Sequence, residues 1–391
     1  MNASGFRRGR RAIAGVLLLS LAFAACAPVS TPAQPTDAPA EPSALVTSNG
    51  FVCPEPSPRA EVTSKQINLF LWTEYVPADI IECFSLVYDI QVNQEYFSSN
   101  EELDAKLRAG AAGYDIVHPS DYIINVMIRG GLLQELDKSR LSNLANLNPG
   151  YLELYGDQAD YVSPYQLGTQ AIVYNSAVVE NPPTSWADLW SPEYENRLVM
   201  IDDTRVIIGM ALLTLGYDIN TSDAAQLAEA EERLKELAST NVKLWDSDSP
   251  KTALIAGDAD LGVVWNGEAF LALQELDTIE YVLPSEGAIL FQDGFAIPTD
   301  APHIDAAYAW MNYLLQGDVA WLLLQDYPYT VPNQAALDFA QANHPDVYAA
   351  YAESNITNAS PEDLQNTHRV EDVGDALQLY DRVWTEIKGG S

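Results

Sequence analysis

Five short segments of this sequence place carboxylates, aromatic rings or both where an apolar run ends. They are Trp72-Thr73-Glu74-Tyr75, Ser120-Asp121-Tyr122, Asp202-Asp203, Trp265-Asn266-Gly267 and Phe291-Gln292-Asp293, and lysine and arginine are nearly absent from them. A carboxylate between rings is costly to bury without a partner. An ammonium group brought from outside would supply one through charge-assisted hydrogen bonds. Ring faces would then cover methylenes and add cation–π attraction of about 0.5–2 kcal/mol each. Taken singly, each segment also reads as a core aromatic beside a surface acid. Their recurrence at five points indicates a site for an aliphatic polycation.

Catalytic patterns are weaker. His118, His303, His344 and His368 stand apart, with no HExxH and no cysteine or acid at metal spacing. His118 follows an apolar run and could line a site, although a lone histidine there also serves structure. There is no GxSxG, and no GxGxxG or Walker loop for a nucleotide. A carboxylate pair for glycoside hydrolysis is open to a chain with 55 acids, but spacing nominates none. The expectation is a binding protein that is not an enzyme, with no cofactor and no metal. The alternatives are a receptor for another small cationic solute and, from a different class, a secreted carboxylate-based glycoside hydrolase.

The elements that must position these residues alternate as in α/β proteins. INLFL (67–71) reads as a strand, PADIIECFSLVY as a helix and IQVNQEYF as a strand. NEELDAKLRAG (100–110) reads as a helix with Asn100 as its cap, and YDIVHPS as a strand. The same grammar returns in GTQAIVYN, SWADLW, RLVMIDD and a helix from Val206 to Leu215. Residues 222–240 form an amphipathic helix with an apolar stripe through Leu227, Ala230, Leu234 and Leu237. LGVVWNG and GFAIP are further strand-and-loop units. Open α/β sheets bind ligands at the carboxyl ends of their strands, where these segments fall.

The N-terminus is of another kind. Arg7, Arg8, Arg10 and Arg11 precede the apolar AIAGVLLLSLAFA, and Phe23-Ala24-Ala25-Cys26 follows. This order predicts a signal peptide over 1–25 and, from the small residues before the cysteine, a lipidated Cys26. Residues 26–62, rich in Pro, Ala, Ser and Thr, read as an extended tether from a membrane face to the globular body. After removal of 1–25 the chain keeps 16 basic against 55 acidic residues, a formal charge of −39. Nucleic acid and anionic lipid surfaces are disfavoured as partners. With Cys26 acylated, Cys53 and Cys83 remain as an even pair in an oxidising compartment, and a disulfide between them would staple the tether to the first helix. The protein is expected to be extracytoplasmic, lipid-anchored and monomeric.

WTEYVP, AKLRAGAAGYDIVHPSDY, LDKSRLSNLANL, TSWADLWSPEY, DDTR, LGYDINT, LGVVWNGEAF and VGDALQLYDR, in this order from about residue 66 to the end, carry a specific likeness. The chain resembles bacterial spermidine/putrescine-binding proteins, the extracytoplasmic receptors of polyamine ABC importers. The resemblance implies an α/β, two-lobed periplasmic-binding-protein fold (type II-like), each lobe a mixed sheet flanked by helices, with the ligand between the lobes. Lobe 1 would span 63–167 with a return segment 296–350, and lobe 2 would span 168–295 with a C-terminal segment 360–391. Crossings are expected near SPYQLGTQAIVYN and DGFAIP, and closure would present both lobes to the permease. Carried over by position, Trp72, Thr73, Glu74 and Tyr75 would hold one end of a polyamine such as putrescine or spermidine, with Ser120 and Tyr122 in the same lobe. Asp203, Trp265, Phe291 and Asp293 would come from the other lobe and the hinge return. Val206 stands where the family has a glutamate, Phe291 where it has a tryptophan, and Val370 near a family glutamine. These departures bear on which polyamine is bound.

Overall fold

The computed structural model describes residues 44–110, 113–358 and 363–389. The signal segment, Cys26 and the tether up to residue 43 lie outside the described residues. Ten strands form one curled mixed sheet: β1 Gln66–Trp72, β2 Gln91–Phe97, β3 Ile116–Val117, β4 Val162–Asn175, β5 Leu198–Met200, β6 Val242–Trp245, β7 Leu261–Trp265, β8 Ile279–Val282, β9 Ala288–Ala296 and β10 Thr367–Arg369. Their order is β2-β1-β3-β9-β4-β7-β5-β6, with β10 beside β9 and β8 beside β4. β2, β1 and β3 are mutually parallel, as are β7, β5 and β6, so each half is a parallel α/β unit. The long antiparallel pair β4 and β9 joins them, from Val162↔Ala296 at one end to Gln170↔Ile289 at the other. Every residue of β9 is buried. The segments SPYQLGTQAIVYN and DGFAIP fall on β4 and at the end of β9.

Local sequence accounts for most elements. In the helix Ala78–Tyr88, Ile80, Cys83, Phe84 and Val87 recur at helical spacing and are buried. They pack with Ile67, Leu69 and Trp310 into the core of the first half. In the second half, Met200, Ile207, Leu212, Leu234 and Tyr380 share a core built by the helices Thr204–Thr214, Ala224–Thr240 and Leu377–Gly389. The stripe Leu227, Ala230, Leu234 and Leu237 is fully inside, as its spacing required.

Three local expectations change. The helix over 100–108 is capped by Ser99, whose hydroxyl accepts from the Glu102 N–H at 3.2 Å. Asn100 is the first helical residue and is buried, its amide donating to Ser120 Oγ at 3.0 Å. Residues 186–190 of SWADLW form a 3-10 turn rather than an α-helix, closed by the capping box Ser185–Asp188. Finally, residues 44–62 of the segment read as an extended tether pack on the body along their length, beyond the expected staple at Cys53. Thr47 donates to Asp79 at 2.6 Å, Ser48 donates to Glu82, and the Ser57 N–H donates to Gln316 at 2.7 Å.

Cys53 and Cys83 form a disulfide that ties this docked tail to the first helix, across a sequence separation of 30. Closing a loop of that length removes unfolded-state entropy worth about 3–4 kcal/mol. Replacing both cysteines by alanine should lower stability by that order in denaturant unfolding, with the reduced wild type behaving alike. An unchanged midpoint would show that the side-chain contacts of the tail hold it without the bridge.

Candidate functional site

β1, β3, β5 and β7 end at one cleft between the two halves of the sheet. Trp72, Thr73, Glu74, Tyr75, Ser120, Tyr122, Asp203, Trp265, Phe291 and Asp293 all line it, and it encloses about 690 Å³, solvent at its mouth included. The structure thus brings together all ten residues singled out in the sequence. It adds Asp121, Gln170, Glu268, Tyr329 and Val370 to the wall.

Aromatic rings form the sides. Tyr75 stands edge-on to Tyr165 and Tyr329, with centroids 5.4 and 5.0 Å away, and Phe291 meets Tyr329 at 5.8 Å. Trp72 leans on Phe97 at 4.4 Å. With the Gln170 amide oxygen turned to the indole, it accepts from Trp265 Nε1 at 3.2 Å and fixes that ring. Gly267 is required here: a Cβ would lie 2.5 Å from the Tyr329 ring. Tyr329 follows no strand and has no acid beside it, so nothing in its local sequence marked it.

His118 does not reach the cleft. It is fully buried behind Tyr75, stacked between that ring at 5.0 Å and Phe295 at 4.2 Å. Burial holds its pKa well below the ordinary value, so it packs as a neutral ring. Among the described residues no group of His, Cys, Asp or Glu is placed to hold a metal ion.

The acids divide into two sets. At the inner end Asp293 accepts from Tyr75 OH at 2.9 Å through one oxygen, while the other, Oδ1, is buried with no partner. Burial pushes its carboxyl up to about 8 against the pull of the Ser120 and Tyr75 hydroxyls, with the nearby Asp121 and Asp203 adding to the rise. Asp121 is pushed up to about 7 by burial, against the pull of Arg369, whose guanidinium lies 3.4 Å away. Asp203 caps the helix Thr204–Thr214, accepting from the Val206 N–H at 3.0 Å, and burial raises its pKa also. Glu101 accepts from Tyr122 OH at 2.9 Å and is raised by burial and by Asp203. No lysine or arginine of the described residues lies within ion-pair distance of Asp293, Asp203 or Glu101. Beside this set Val206, Ile289 and Val370 present an apolar wall.

The second set is at the end of β1. Glu74 sits in the left-handed region, with φ of 48°, which aims its carboxylate across the cleft at a cost of about 1–2 kcal/mol. Its partner is internal. Lys251 Nζ donates to Glu74 Oε2 at 2.5 Å and to Glu268 Oε1 at 3.0 Å. Lys251 lies outside the five segments, 177 residues from Glu74 in sequence. Burial opposes its charge, and the two carboxylates overcome that, holding its pKa above the ordinary value.

A cleft between two α/β halves that share the strands β4 and β9, lined by acids and rings, is the architecture of a solute receptor. The chain belongs to the bacterial extracellular solute-binding proteins, matching that family over residues 81–354. It is 38% identical over 322 residues to the spermidine/putrescine-binding periplasmic proteins of Salmonella typhimurium and Escherichia coli, covering 82% of this chain and 90% of each relative. A putrescine/cadaverine-binding protein of Pseudomonas aeruginosa is 28% identical, with 83% and 94% covered. Among solved structures, the TpPotD lipoprotein of Treponema pallidum superposes with a TM-score of 0.70 at 27% identity, covering 82% of this chain and 99% of that one. The Streptococcus pneumoniae spermidine/putrescine substrate-binding protein gives 0.67 at 29%, with 84% and 99% covered. The two-lobed fold expected from the sequence is the one found. Proteins of this family bind solutes outside the cytoplasm and are not enzymes.

The raised carboxyl of Asp293 gives a pH dependence with a definite sign. Protons and a cationic ligand compete for it: below about pH 8 the free cleft holds the proton, and a bound ammonium would expel it. Affinity for a cation should therefore rise as pH rises from about 6 to about 8. Calorimetry at pH 7 in buffers of different ionisation enthalpy should show proton release, and Asp293→Asn should diminish it. Binding without proton release would mean that the ligand does not meet Asp293.

Proposed function

We propose that the chain is the receptor of an ABC importer and captures an aliphatic polyamine between its lobes, delivering it to the permease on closure. The observation that carries this is Asp293, deep in the cleft among ring faces, with one buried oxygen unpartnered and no lysine or arginine of the described residues at ion-pair distance. In this reading Asp293 and Asp203, with Ser120 and Tyr122 nearby, receive ammonium groups. Trp72, Thr73, Tyr75, Trp265, Phe291 and Tyr329 cover the methylenes, and Glu74 faces the ligand together with Lys251. The names of the relatives, which bind spermidine and putrescine or putrescine and cadaverine, support the same class.

The apolar wall favours a short ligand. A third ammonium directed at Val206 and Val370 would be desolvated without a counter-charge. Putrescine leaves no such group if Asp293 and Asp203 take its two ends. A calorimetric screen of putrescine, cadaverine, spermidine and spermine should find a tight ligand among them, recovered chemically unchanged. Asp293→Asn should weaken it by about 1.5–3 kcal/mol, the worth of a hydrogen bond to a charged group. Stabilisation by an amino acid or sugar alone would overturn the reading.

The mature protein is proposed to be a monomer anchored through an acylated Cys26, with Ala27 to Ser43 as the tether. One acyl-modified terminus holds a protein at a membrane face without a spanning helix, and no helix among the described residues is long and apolar enough to span. Mass spectrometry of membrane-extracted protein should find the lipid on Cys26. An unmodified terminus at Ala27 or beyond would contradict it.

A further inference from the structure

Among the described residues, the Lys251 ammonium reaches from one half of the cleft to an acid of the other. It belongs to the helix Pro250–Ile255, beside Glu268 in the helix Asn266–Glu275, while Glu74 ends β1 in the opposite half. An ammonium group has three N–H donors. Here they meet Glu74 at 2.5 Å, Glu268 at 3.0 Å and Ser249 Oγ at 3.0 Å, so no donor is left over for a ligand. The Lys251 side chain is 18% exposed and that of Glu268 5%, so the pair is largely desolvated.

We propose that Lys251 is a built-in ammonium of the cleft: a specificity-determining residue that occupies Glu74 and Glu268, so that the ligand brings one positive centre fewer. This rests on the reading that the ligand is a polyamine. Glu268 is too buried to stay ionised in the free protein without a counter-charge, and a ligand is absent in that state. Lys251 is always present, and being tethered it competes at an effective concentration no dilute solute matches. A free amine would have to displace it and leave its charge buried and unpartnered. The acids with no cation at ion-pair distance, Asp293 and Asp203, then define where the ligand's charges go. The same contact joins the two lobes, so closing the cleft does not depend on a ligand charge at the β1 end.

The test is calorimetry with putrescine and spermidine on the mature protein, comparing wild type, Lys251→Gln and Lys251→Arg. Gln removes the charge and frees Glu74 and Glu268 for a third ammonium. The spermidine-to-putrescine affinity ratio should rise by about tenfold or more, the worth of one charge-assisted contact. Arg keeps the charge and should hold the wild-type ratio. A Lys251→Gln protein that melts normally with an unchanged ratio would overturn the proposal. Wild type that binds neither amine would overturn the polyamine reading itself, and this inference with it.

A second measurement needs no variant. Under reductive methylation of the wild type, Lys251 should stay unmodified both free and with putrescine bound. Labelling that appears only on ligand binding would mean that the ligand takes its place, and would sink the idea.

Discussion

A carboxylate held among aromatic rings and away from water must be neutralised, and the cleft of this protein is organised around that requirement. Three means of neutralisation coexist within it. Burial raises the Asp293 carboxyl towards its protonated form. Asp121 has Arg369 beside it. Glu74 and Glu268 share Lys251. Desolvation makes the inner end of the cleft a poor place for an unpaired carboxylate and therefore a good place for a cation that arrives with its own apolar stem.

The scaffold makes this arrangement possible because neither half holds a complete site. Trp72 to Tyr75 and Ser120 to Tyr122 stand on the β1–β3 side, Asp203 and Trp265 on the β5–β7 side, and Phe291 and Asp293 on the strand that passes through both. The two halves are joined through the long paired strands β4 and β9, whose ladder runs from Val162↔Ala296 to Gln170↔Ile289. Behind the site, Tyr75, His118, Tyr165 and Phe295 pack ring against ring, which fixes the position of the Tyr75 hydroxyl and through it Asp293. Pre-set donors of this kind reduce the ordering cost that binding must meet.

Selectivity, in the reading offered here, lies in what the cleft withholds. Val206 and Val370 remove acceptors at one end, and Lys251 fills the acceptors at the other. Both changes act on the number of positive centres a ligand can place, while the rings between them accept any methylene chain of suitable length.

Much of this was legible in the sequence because it is local. A short apolar run identifies β1, and helical patterns of apolar residues identify the helix Ala78–Tyr88 and the helix Ala224–Thr240. Acids beside rings at strand ends marked ten residues that prove to share one cleft. The pairing of Cys53 with Cys83 followed from counting thiols in an oxidising compartment. Other features depend on which distant segments meet, and no local pattern encodes that. The tail over 44–62 read as an extended tether held only at Cys53, because proline-rich composition says nothing of Asp79, Glu82 and Gln316, which receive it. Tyr329 carries no signal until Gly267 makes room for its ring. Glu74 looked like an acid awaiting a cation from outside, and only the fold, by closing 177 residues of chain, sets the Lys251 ammonium against it. Residue chemistry determined what kind of ligand the cleft suits; tertiary structure decided which of its charges were already answered, because electrostatic partnership depends on distance in space and not along the chain.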